Sequence, residues 1–439
     1  MKGERWSEAR AEDKLRSLEL FGMRFGLDRM RRMMTVLGSP QRRYESIHVL
    51  GTNGKSSTTR MTAAILRRHG LRTGAYTSPH LLHYRERVLI DTQTGAGEQQ
   101  LDSDQFAEAI ARASWAAERV NRTLGEDDHV TQFELLTAAA LWQMACSEVE
   151  VAVVEAGLGG RFDATSVIDA PLTVLTNVGL EHTRWLGSTI ADIAEEKLAV
   201  VREHGELVLG AALAPEALAV ARRIAGDRHA RLTGPAPLAQ GLRLAARGAF
   251  QRENFALAAA AASSHLLARG VAPDEAAFAA AARETEIPGR LQTIAEQPLT
   301  VLDGAHNPDA VLALARALPE LFGERMPALV LGVLEDKDAA SMLRTLLPLC
   351  ARVWFTAPPS SRALPPAALQ SQARQIGFPD TCCEPRPARA LAQAQTWARA
   401  NGAGVLATGS VYLVGELLAQ SGEADILRSQ SASAGTSTR

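Results

Sequence analysis

The sequence predicts an α/β fold, with a larger N-terminal domain on a parallel sheet and a smaller C-terminal α/β domain. Three observations support this fold class. The chain has 439 residues, which is more than a single hydrophobic core usually supports. Short, continuously apolar segments alternate with helical segments, as is typical of a parallel sheet covered on both faces. A second alternating series begins near Pro288, so we expect domains at 1–290 and 291–420.

The composition is that of an ordinary globular protein, with 46% apolar and 22% charged residues. Lys and Arg number 47 and Asp and Glu 49, a formal charge of −2. This balance gives no electrostatic footprint for nucleic acid or an anionic membrane. No apolar run reaches the roughly 18–20 residues of a membrane-spanning helix, and the N-terminus lacks the pattern of a signal or transit peptide. The four cysteines include no Cys-x-x-Cys pair, so we expect a cytoplasmic protein without a zinc site.

The first part of the chain reads as helix, strand, loop and helix. Leucines and methionines at helical spacing between Leu15 and Met34 predict helices packed in the core. An apolar strand at 46–50 runs into a Gly-rich turn, and the helix at 58–69 ends at Gly70. The elements expected next are a strand at 72–77, a polar loop at 91–104, a helix at 131–145, strands at 149–155 and 172–177, a helix that Ser188 caps and that runs to about 202, and Ala-rich helices at 215–226 and 253–269.

The second series repeats the alternation of strands and helices. Asn307 and Pro308 form a favourable N-cap and first-turn pair for one of its helices. The last stretch, 421–439, is rich in Ser, Ala and Thr and is expected to be disordered. The strands of this series are expected at 298–303, 328–332, 351–356 and 404–407.

The turn after the first strand has the composition of a phosphate-binding loop. Its glycines let backbone N–H groups face an anion, and the helix N-terminus adds a positive dipole end. Lys55 supplies a charge for the β- and γ-phosphates, and a following hydroxyl can bind Mg²⁺. The strict Walker pattern would need glycine at Val49, so this loop is a shortened form; the alternative is an ordinary glycine turn. The predicted ATP-binding residues are Gly51, Thr52, Asn53, Gly54, Lys55, Ser56 and Ser57.

Two acidic residues end predicted buried strands. Glu155 follows an apolar strand, where a carboxylate is costly unless it is paired, hydrogen-bonded or bound to a cation. It lies at the carboxyl edge of the sheet, where open α/β sheets place their ligands. Glu155 is therefore a candidate Mg²⁺ ligand, since Mg²⁺ prefers hard oxygen donors. Asp303 ends a strand in the second domain, and the same placement indicates contact with a ligand.

Several motifs, in order along most of the chain, carry a resemblance to a known family. They are Gly51-Thr-Asn-Gly-Lys55, Thr77-Ser-Pro-His80 with Tyr84-Arg-Glu-Arg87, the segment from Glu155 to Asp163, Gly179-Leu-Glu-His182, Pro288-Gly-Arg290, Leu302-Asp-Gly-Ala-His-Asn-Pro308 and Thr408-Gly-Ser-Val-Tyr412. The loop resembles that of the muramyl-peptide ligase superfamily. The other motifs resemble its folate branch, the folylpolyglutamate synthases, which are often also dihydrofolate synthases. The chain departs from that family at Ser56, where glycine is usual, and at Glu181, where aspartate is commoner.

The resemblance implies a P-loop ATPase-like first domain and a Rossmann-like second domain. It implies that Ser56, Ser78, Glu155 and His182 hold metal, with two Mg²⁺ sites, although His182 alone would be interpreted as a structural histidine. It also implies that Lys197 is carbamylated, against the alternative of a solvated surface lysine. The implied catalytic residues are Lys55, His182 and Lys197.

The resemblance also assigns groups that contact ATP and the other substrates. Asn254, Arg290, Asp303 and His306 are implied to contact ATP across a cleft between the domains, although Arg290 alone would be interpreted as part of a surface salt bridge. Phe133 fits core packing equally well. The residues implied to bind substrate are Thr77, Pro79, His80, Arg87, Phe133, Glu134, Asp163, Ser410 and Tyr412.

The implied reaction is ATP-dependent addition of L-glutamate to reduced folates, with dihydropteroate as a second acceptor, through an acyl phosphate. Relatives are usually monomers, so a monomer is expected. Two alternatives remain: another Mur-type ATP-dependent amide ligase, or a nucleotide-binding protein without ligase activity.

Overall fold

The computed structural model describes residues 5–18, 26–91 and 98–421, and the chain divides into two compact units. The first unit comprises the described residues of Met1–Arg243 together with Glu253–Thr285, and the second comprises Leu244–Arg252 and residues 286–421. The expected boundary near residue 290 places Leu244–Arg252 in the first domain. In the structure this segment groups with the second unit.

The first unit is built on a sheet in which, within the described residues, eight strands lie in the order β4-β3-β2-β5-β1-β6-β7-β8. The pairs from β2 through β5, β1, β6 and β7 to β8 are parallel. The strands are β1 (Glu45–Leu50), β2 (Thr73–Tyr76), β3 (Val88–Asp91), β4 (Glu98–Gln100), β5 (Val151–Glu155), β6 (Leu172–Leu175), β7 (Glu206–Leu209) and β8 (Arg231–Thr233).

Helices cover both faces of this sheet, as the apolar strands predict. Leu15, Met33 and Leu136 belong to the core on one face, while Leu50, Ile193 and Leu207 belong to the core on the other. The helices are α1 (Glu8–Ser17), α2 (Asp28–Val36), α3 (Lys55–Arg68), α4 (Ser103–Asn121), α5 (Gln132–Cys146), α6 (Thr183–Leu186), α7 (Ile190–Leu198), α8 (Pro215–Asp227), α9 (Ala249–Ala268) and α10 (Glu275–Glu284).

The sheet is mixed rather than purely parallel, because β2 pairs with β3 and β3 with β4 in antiparallel fashion. The polar segment 91–104 was expected to be a loop, and this is wrong for Glu98–Gln100, which forms the edge strand β4. An edge strand pairs through its backbone on one side and needs no apolar pattern, so its polar sequence gave no strand signal. Residues 92–97 lie outside the described residues.

Helix α9 begins at Ala249 rather than at 253, and the boundaries of α3 and α7 also differ from those expected. Helix α3 begins at Lys55 rather than near Thr58, because Gly54 serves as the N-cap. Thr189, and not Ser188, caps α7, since its hydroxyl accepts a hydrogen bond from the backbone of Asp192. Helix α7 also ends at Leu198, short of the expected position near 202.

The second unit has its own sheet, in which six strands of the described chain lie in the order β13-β12-β11-β14-β10-β9. All neighbouring pairs are parallel except β10 with β9. Asn307 caps α11 and Pro308 occupies its first turn, as expected. The elements are β9 (Gln292–Glu296), β10 (Leu299–Leu302), α11 (Pro308–Phe322), β11 (Ala328–Leu331), α12 (Ala339–Leu346), β12 (Arg352–Phe355), α13 (Pro366–Gln375), β13 (Thr381–Cys383), α14 (Pro387–Asn401), β14 (Val405–Thr408) and α15 (Val411–Gln420).

The expectation of a disordered tail at 421–439 falls, except for Ser421, outside the described residues. Among the residues that the structure describes, no helix combines the length and the apolar character needed to cross a membrane.

Candidate active site

The phosphate loop joins the carboxyl end of β1 to the first turn of α3. Gly54, at φ 81°, occupies the N-cap, and no side chain caps the helix. The first N–H groups of α3 are therefore not taken by a capping side chain, which is the arrangement that binds phosphate at helix N-termini. The positive φ of Gly54 favours glycine at this position, and a Cβ atom there would also lie 2.5 Å from Oδ1 of Asn254, which would have to move.

The end of β6 holds the loop in place. The backbone N–H of Thr52 donates to the carbonyl of Asn177 at 3.0 Å, and the N–H of Asn53 donates to the side-chain Oδ1 of Asn177 at 2.8 Å. The hydroxyl of Thr176 donates to the carbonyl of Asn53 at 2.6 Å. Sequence reasoning missed the roles of Thr176 and Asn177. The sequence signal that could have identified them is their position. Both are polar residues directly after β6, which ends at the same edge of the sheet as β1.

Lys55 folds back over its own loop. Its Nζ donates to the carbonyl of Thr52 at 3.0 Å, and the side chain is half-buried. The two serines that follow differ in burial, since Ser56 is half-buried whereas Ser57 is buried. Asn53, Lys55 and Ser56 are therefore the side chains of this turn with some exposure to an incoming ligand.

Glu155 ends β5 beside the phosphate loop, in register with Val49 of β1. It is only 1% exposed. Its Oε1 accepts a hydrogen bond from the Ser56 hydroxyl at 3.0 Å, and its Oε2 accepts one from the backbone N–H of Ser78 at 3.0 Å. The Ser56 hydroxyl also lies 3.4 Å from the Ser78 carbonyl oxygen. This set of carboxylate, hydroxyl and carbonyl oxygens fits a hard divalent cation such as Mg²⁺.

His182 lies in the loop between β6 and α6, as the N-cap residue of that short helix. Its backbone is left-handed, with φ 54° and ψ 33°. Such a conformation is uncommon for a residue other than glycine and is often found at functional sites.

Lys197 is not a surface lysine, which overturns the alternative interpretation of a solvated side chain. It is 3% exposed, and its Nζ donates to the carbonyls of Gly51 and Leu158, both at 3.0 Å. Burial, followed by repulsion from Lys55, lowers the pKa of Lys197 to about 7, although Glu181 opposes the shift. Lys197 thus reaches the phosphate loop from α7 with an amine that titrates near neutrality.

Asp163 organises the loop that follows β5. Its Oδ2 accepts from the backbone N–H of Leu158 at 2.8 Å, and its Oδ1 accepts from the Thr165 hydroxyl at 2.5 Å. His48 on β1 contacts that hydroxyl at 2.9 Å, and burial lowers the pKa of His48 to about 4. Because the Thr165 proton goes to Asp163, the neutral His48 ring donates from Nε2.

The predicted substrate loop brings His80 and Arg87 together. Arg87 donates from Nε to Nδ1 of His80 at 3.1 Å, and Thr77 donates its N–H to the Arg87 carbonyl at 2.8 Å. Burial and then the Arg87 charge lower the pKa of His80 to about 3, consistent with a neutral ring that accepts this bond. Pro79 lies between Ser78 and His80 in the same loop.

Phe133 and Glu134 lie in the first turn of α5 but differ in their surroundings. Phe133 is half-buried and packs against the core; a Cβ on Gly157 would lie 2.4 Å from its ring. The carboxylate of Glu134 accepts from Arg29 Nε at 3.0 Å and from the Thr131 N–H at 2.8 Å. These contacts assign Glu134 to a buried ion pair and a helix cap.

In the second unit, Arg290, Asp303 and His306 gather around Gly304. A Cβ on Gly304 would lie 2.0 Å from Nη1 of Arg290, and Nδ1 of His306 lies 2.9 Å from the Gly304 carbonyl. Asp303 accepts backbone hydrogen bonds from Leu291 and Ala305. Burial raises the pKa of Asp303, and the Arg290 charge opposes this shift.

Ser410 and Tyr412 follow β14 in the same unit. Ser410 is buried and caps α15, where its hydroxyl accepts from the N–H of Tyr412 at 3.2 Å. The neighbouring Gly409 donates its N–H to the carbonyl of Ala305 at 3.0 Å, which joins this turn to the one that follows Asp303. Tyr412 is 46% exposed.

Comparison with known proteins places these sites in a family context. The model of the Mur ligase glutamate ligase domain matches residues 289–411. A protein of Haloferax volcanii named "Probable bifunctional folylpolyglutamate synthase/dihydropteroate synthase" is 34% identical over 91% of this chain, which spans only 49% of that relative.

A curated sequence and a solved structure from Mycobacterium tuberculosis are covered over more of their own length. A dihydrofolate synthase/folylpolyglutamate synthase is 33% identical, with 86% of this chain and 81% of the relative covered. The crystal structure of a folylpolyglutamate synthase complexed with ADP and AMPPCP superposes with a TM-score of 0.86 at 30% identity, covering 94% of this chain and 99% of that one. The chain therefore belongs to the folylpolyglutamate synthase/dihydrofolate synthase family.

Proposed function

We propose that this protein is an ATP-dependent ligase that adds L-glutamate to reduced folates and also to dihydropteroate. The observation that carries the proposal is the joining of a phosphate loop to a buried carboxylate: Ser56 of the loop donates to Glu155 at 3.0 Å. A site of this kind suits a nucleoside triphosphate with its divalent cation. Family membership supplies the folate and glutamate substrates.

The chemistry follows from the poor electrophilicity of a carboxylate, whose leaving group would be oxide. Attack of a folate carboxylate oxygen on the ATP γ-phosphorus breaks the bond to ADP and forms an acyl phosphate. The amine of L-glutamate then attacks the acyl carbon, loses a proton and expels phosphate. The first step depends mainly on positioning and charge neutralisation.

This chain's own groups serve that step in distinct ways. The first N–H groups of α3 receive phosphate oxygens, and Lys55 turns its ammonium from the Thr52 carbonyl to the β- and γ-phosphates. Asn254 approaches the loop at Gly54. We assign Arg290, Asp303 and His306 of the second unit to nucleotide binding as well, as the family resemblance implies.

The metal ligands we propose are Ser56, Ser78, Glu155 and His182, with Mg²⁺ in two sites. Bound Mg²⁺ would offset the negative charge of the phosphate oxygens. Lys197 is proposed to carry a carbamate when CO₂ is present. Its neutral amine is the form that adds CO₂, and its pKa of about 7 makes that form abundant at physiological pH.

For the folate substrate we propose the loop of Thr77, Pro79, His80 and Arg87, together with Phe133. Arg87 offers a positive charge, while the neutral His80 offers an aromatic face beside Tyr84, with ring centroids 4.3 Å apart. Asp163 and Glu134 are proposed to position these surroundings, because their carboxylates are engaged by protein donors. Ser410 and Tyr412 are proposed to lie on the glutamate side. The monomeric state and the cytoplasmic location of the protein stay predictions.

ADP release tests the proposal directly. The protein is supplied with Mg²⁺, ATP and L-glutamate, and tetrahydrofolate is compared with dihydropteroate; omission of glutamate is the control for idle ATP hydrolysis. Turnover with both acceptors supports the bifunctional assignment, and turnover with tetrahydrofolate alone restricts it to chain extension. If the protein binds ATP but releases no ADP with either acceptor, the assignment is overturned in favour of another amide ligase.

A further inference from the structure

A second group of metal-ligating side chains lies far from the phosphate loop along the strands. Glu203 and His204 are in the loop before β7, and His229 is in the loop before β8. Because β1, β6, β7 and β8 run parallel, these loops lie at the amino edge of the sheet. The phosphate loop follows the carboxyl end of β1, so the two places are at opposite edges.

The three side chains converge on one point at the surface. Their ligand atoms all lie within 4.8 Å of one another, and Nδ1 of His229 is 2.8 Å from Oε1 of Glu203. The rings of His204 and His229 have centroids 5.5 Å apart. Two imidazoles on one tetrahedral ion, with metal–nitrogen bonds of about 2.0 Å, have centroids roughly 5 Å apart. The ring spacing therefore already approaches that of a shared ion.

Backbone hydrogen bonds tie the two loops to each other. The N–H of His204 donates to the carbonyl of Arg228 at 2.8 Å, and the N–H of Arg231 donates to the carbonyl of Gly205 at 2.9 Å. His204 and His229 both adopt left-handed backbone conformations, with φ of 55° and 50°. The Cα positions of the ligands are thus held by the fold, and only exposed side chains need to adjust.

We propose that Glu203, His204 and His229 form a binding site for a divalent transition metal, with Zn²⁺ as the ion. Two imidazoles and one carboxylate are a donor set that zinc uses with a fourth position for water. Mg²⁺ is disfavoured here because it prefers oxygen ligands, and two of these three donors are imidazole nitrogens. Metal binding would replace the His229–Glu203 hydrogen bond and clamp the loop before the edge strand β8.

A second cluster in the described chain provides a matched control. Glu8, Glu12 and His83 also have ligand atoms within 4.8 Å of one another. Their carboxylates, however, are already engaged: Arg85 lies 3.3 Å from Glu8, and Arg16 lies 2.6 Å from Glu12. Each carboxylate of this cluster is ion-paired with an arginine, whose charge opposes a bound cation, so this cluster is expected not to bind zinc with comparable affinity.

Calorimetric titration of the full-length, EDTA-treated protein with Zn²⁺ tests the proposal, with Mg²⁺ present in excess to occupy the oxygen-rich site. We expect the wild type to bind one equivalent more than the His204→Gln/His229→Gln double variant. Each single substitution is expected to weaken that equivalent by at least ~10-fold, because even changes outside the ligand shell cost zinc sites that much. His83→Gln is the control and is expected to leave the titration unchanged.

Heating the same proteins gives a second readout that does not depend on activity. A ligand that binds only the folded state raises the melting temperature, so Zn²⁺ should stabilise the wild type more than the double variant. The proposal is overturned if the double variant retains the full zinc stoichiometry and affinity. It is also overturned if His83→Gln, rather than the double variant, removes the equivalent.

Discussion

The side-chain amine of Lys197 donates a hydrogen bond of 3.0 Å to the carbonyl of Gly51, the first residue of the phosphate loop. The same amine reaches the carbonyl of Leu158 at 3.0 Å, so one buried nitrogen links the turn after β1 to the loop after β5. A charged amine pays a desolvation cost there, and Lys55 adds repulsion. Protonation of the Lys197 amine is therefore linked to the conformation of the phosphate loop.

We predict that the pKa of Lys197 is about 7, well below that of an ordinary lysine. The chain contains five lysines, Lys2, Lys14, Lys55, Lys197 and Lys337, so nitrogen NMR of their side chains can resolve each titration. The Lys197→Arg variant assigns the signal. A Lys197 signal that titrates at the normal lysine value would show that the amine is solvated or paired with a carboxylate.

Lys197 should also make stability depend on pH in a defined direction. Between about pH 7 and pH 10.5 the unfolded state retains a proton that the folded state has released, so the free energy of unfolding rises with pH. Below pH 7 the folded protein bears the full free-energy cost of burying the charged Lys197 amine. Urea unfolding at pH 7 and pH 9 should show wild type gaining stability relative to Lys197→Met. An equal change in both proteins would contradict the prediction.

Lys55→Ala is expected to abolish ligase turnover while the fold persists. The lysine supplies the side-chain charge of the phosphate loop and makes one hydrogen bond, to the Thr52 carbonyl, so its loss costs little stability. ADP release should fall by at least ~100-fold, as for other groups that stabilise transition-state charge. Lys14→Ala, on the partly exposed face of α1, is the control. Near-normal turnover in Lys55→Ala would remove Lys55 from the mechanism.

Glu155→Gln should separate metal binding from folding. The amide keeps the size of the carboxylate and can still accept from the Ser78 N–H, so thermal stability should change little. The loss of charge at the cation site is expected to reduce turnover by ~100-fold or more. ADP release measured over a range of Mg²⁺ concentrations checks this, with exposed Glu118→Gln on α4 as the control. Unchanged turnover and Mg²⁺ dependence would show that Glu155 is only structural.

Glu134→Ala should instead destabilise the protein. Its carboxylate and the Arg29 guanidinium are 6% and 7% exposed and lie 3.0 Å apart. Removing Glu134 leaves the buried Arg29 guanidinium still paired with Asp128 at 2.7 Å, so the cost is expected to lie below the roughly 3–5 kcal/mol of a buried ion pair that is broken outright. Urea unfolding measures this loss. The double variant Arg29→Met/Glu134→Leu should recover most of it, whereas equal losses in both variants would mean that the pair is not coupled.

The sequence by itself determined the features that depend on short stretches of chain. The alternation of apolar strands with helices predicted both α/β units, since burial of a parallel strand on two faces requires a continuous apolar run. The glycines and Lys55 between a strand and a helix predicted the phosphate loop. Asn307 followed by Pro308 predicted a helix start, because capping is a local hydrogen-bonding requirement.

Apart from the strand-end carboxylates Glu155 and Asp303, only the tertiary structure decided which polar groups are buried and what they contact. Lys197 follows two glutamates in a helix and has the sequence of a surface lysine, yet Gly51, 146 positions earlier in the chain, supplies one of its acceptors. Arg29 and Glu134 are separated by 105 positions, and no local pattern pairs them. Burial and charge pairing depend on distances between distant segments, and those distances exist only once the sheet has brought the segments together.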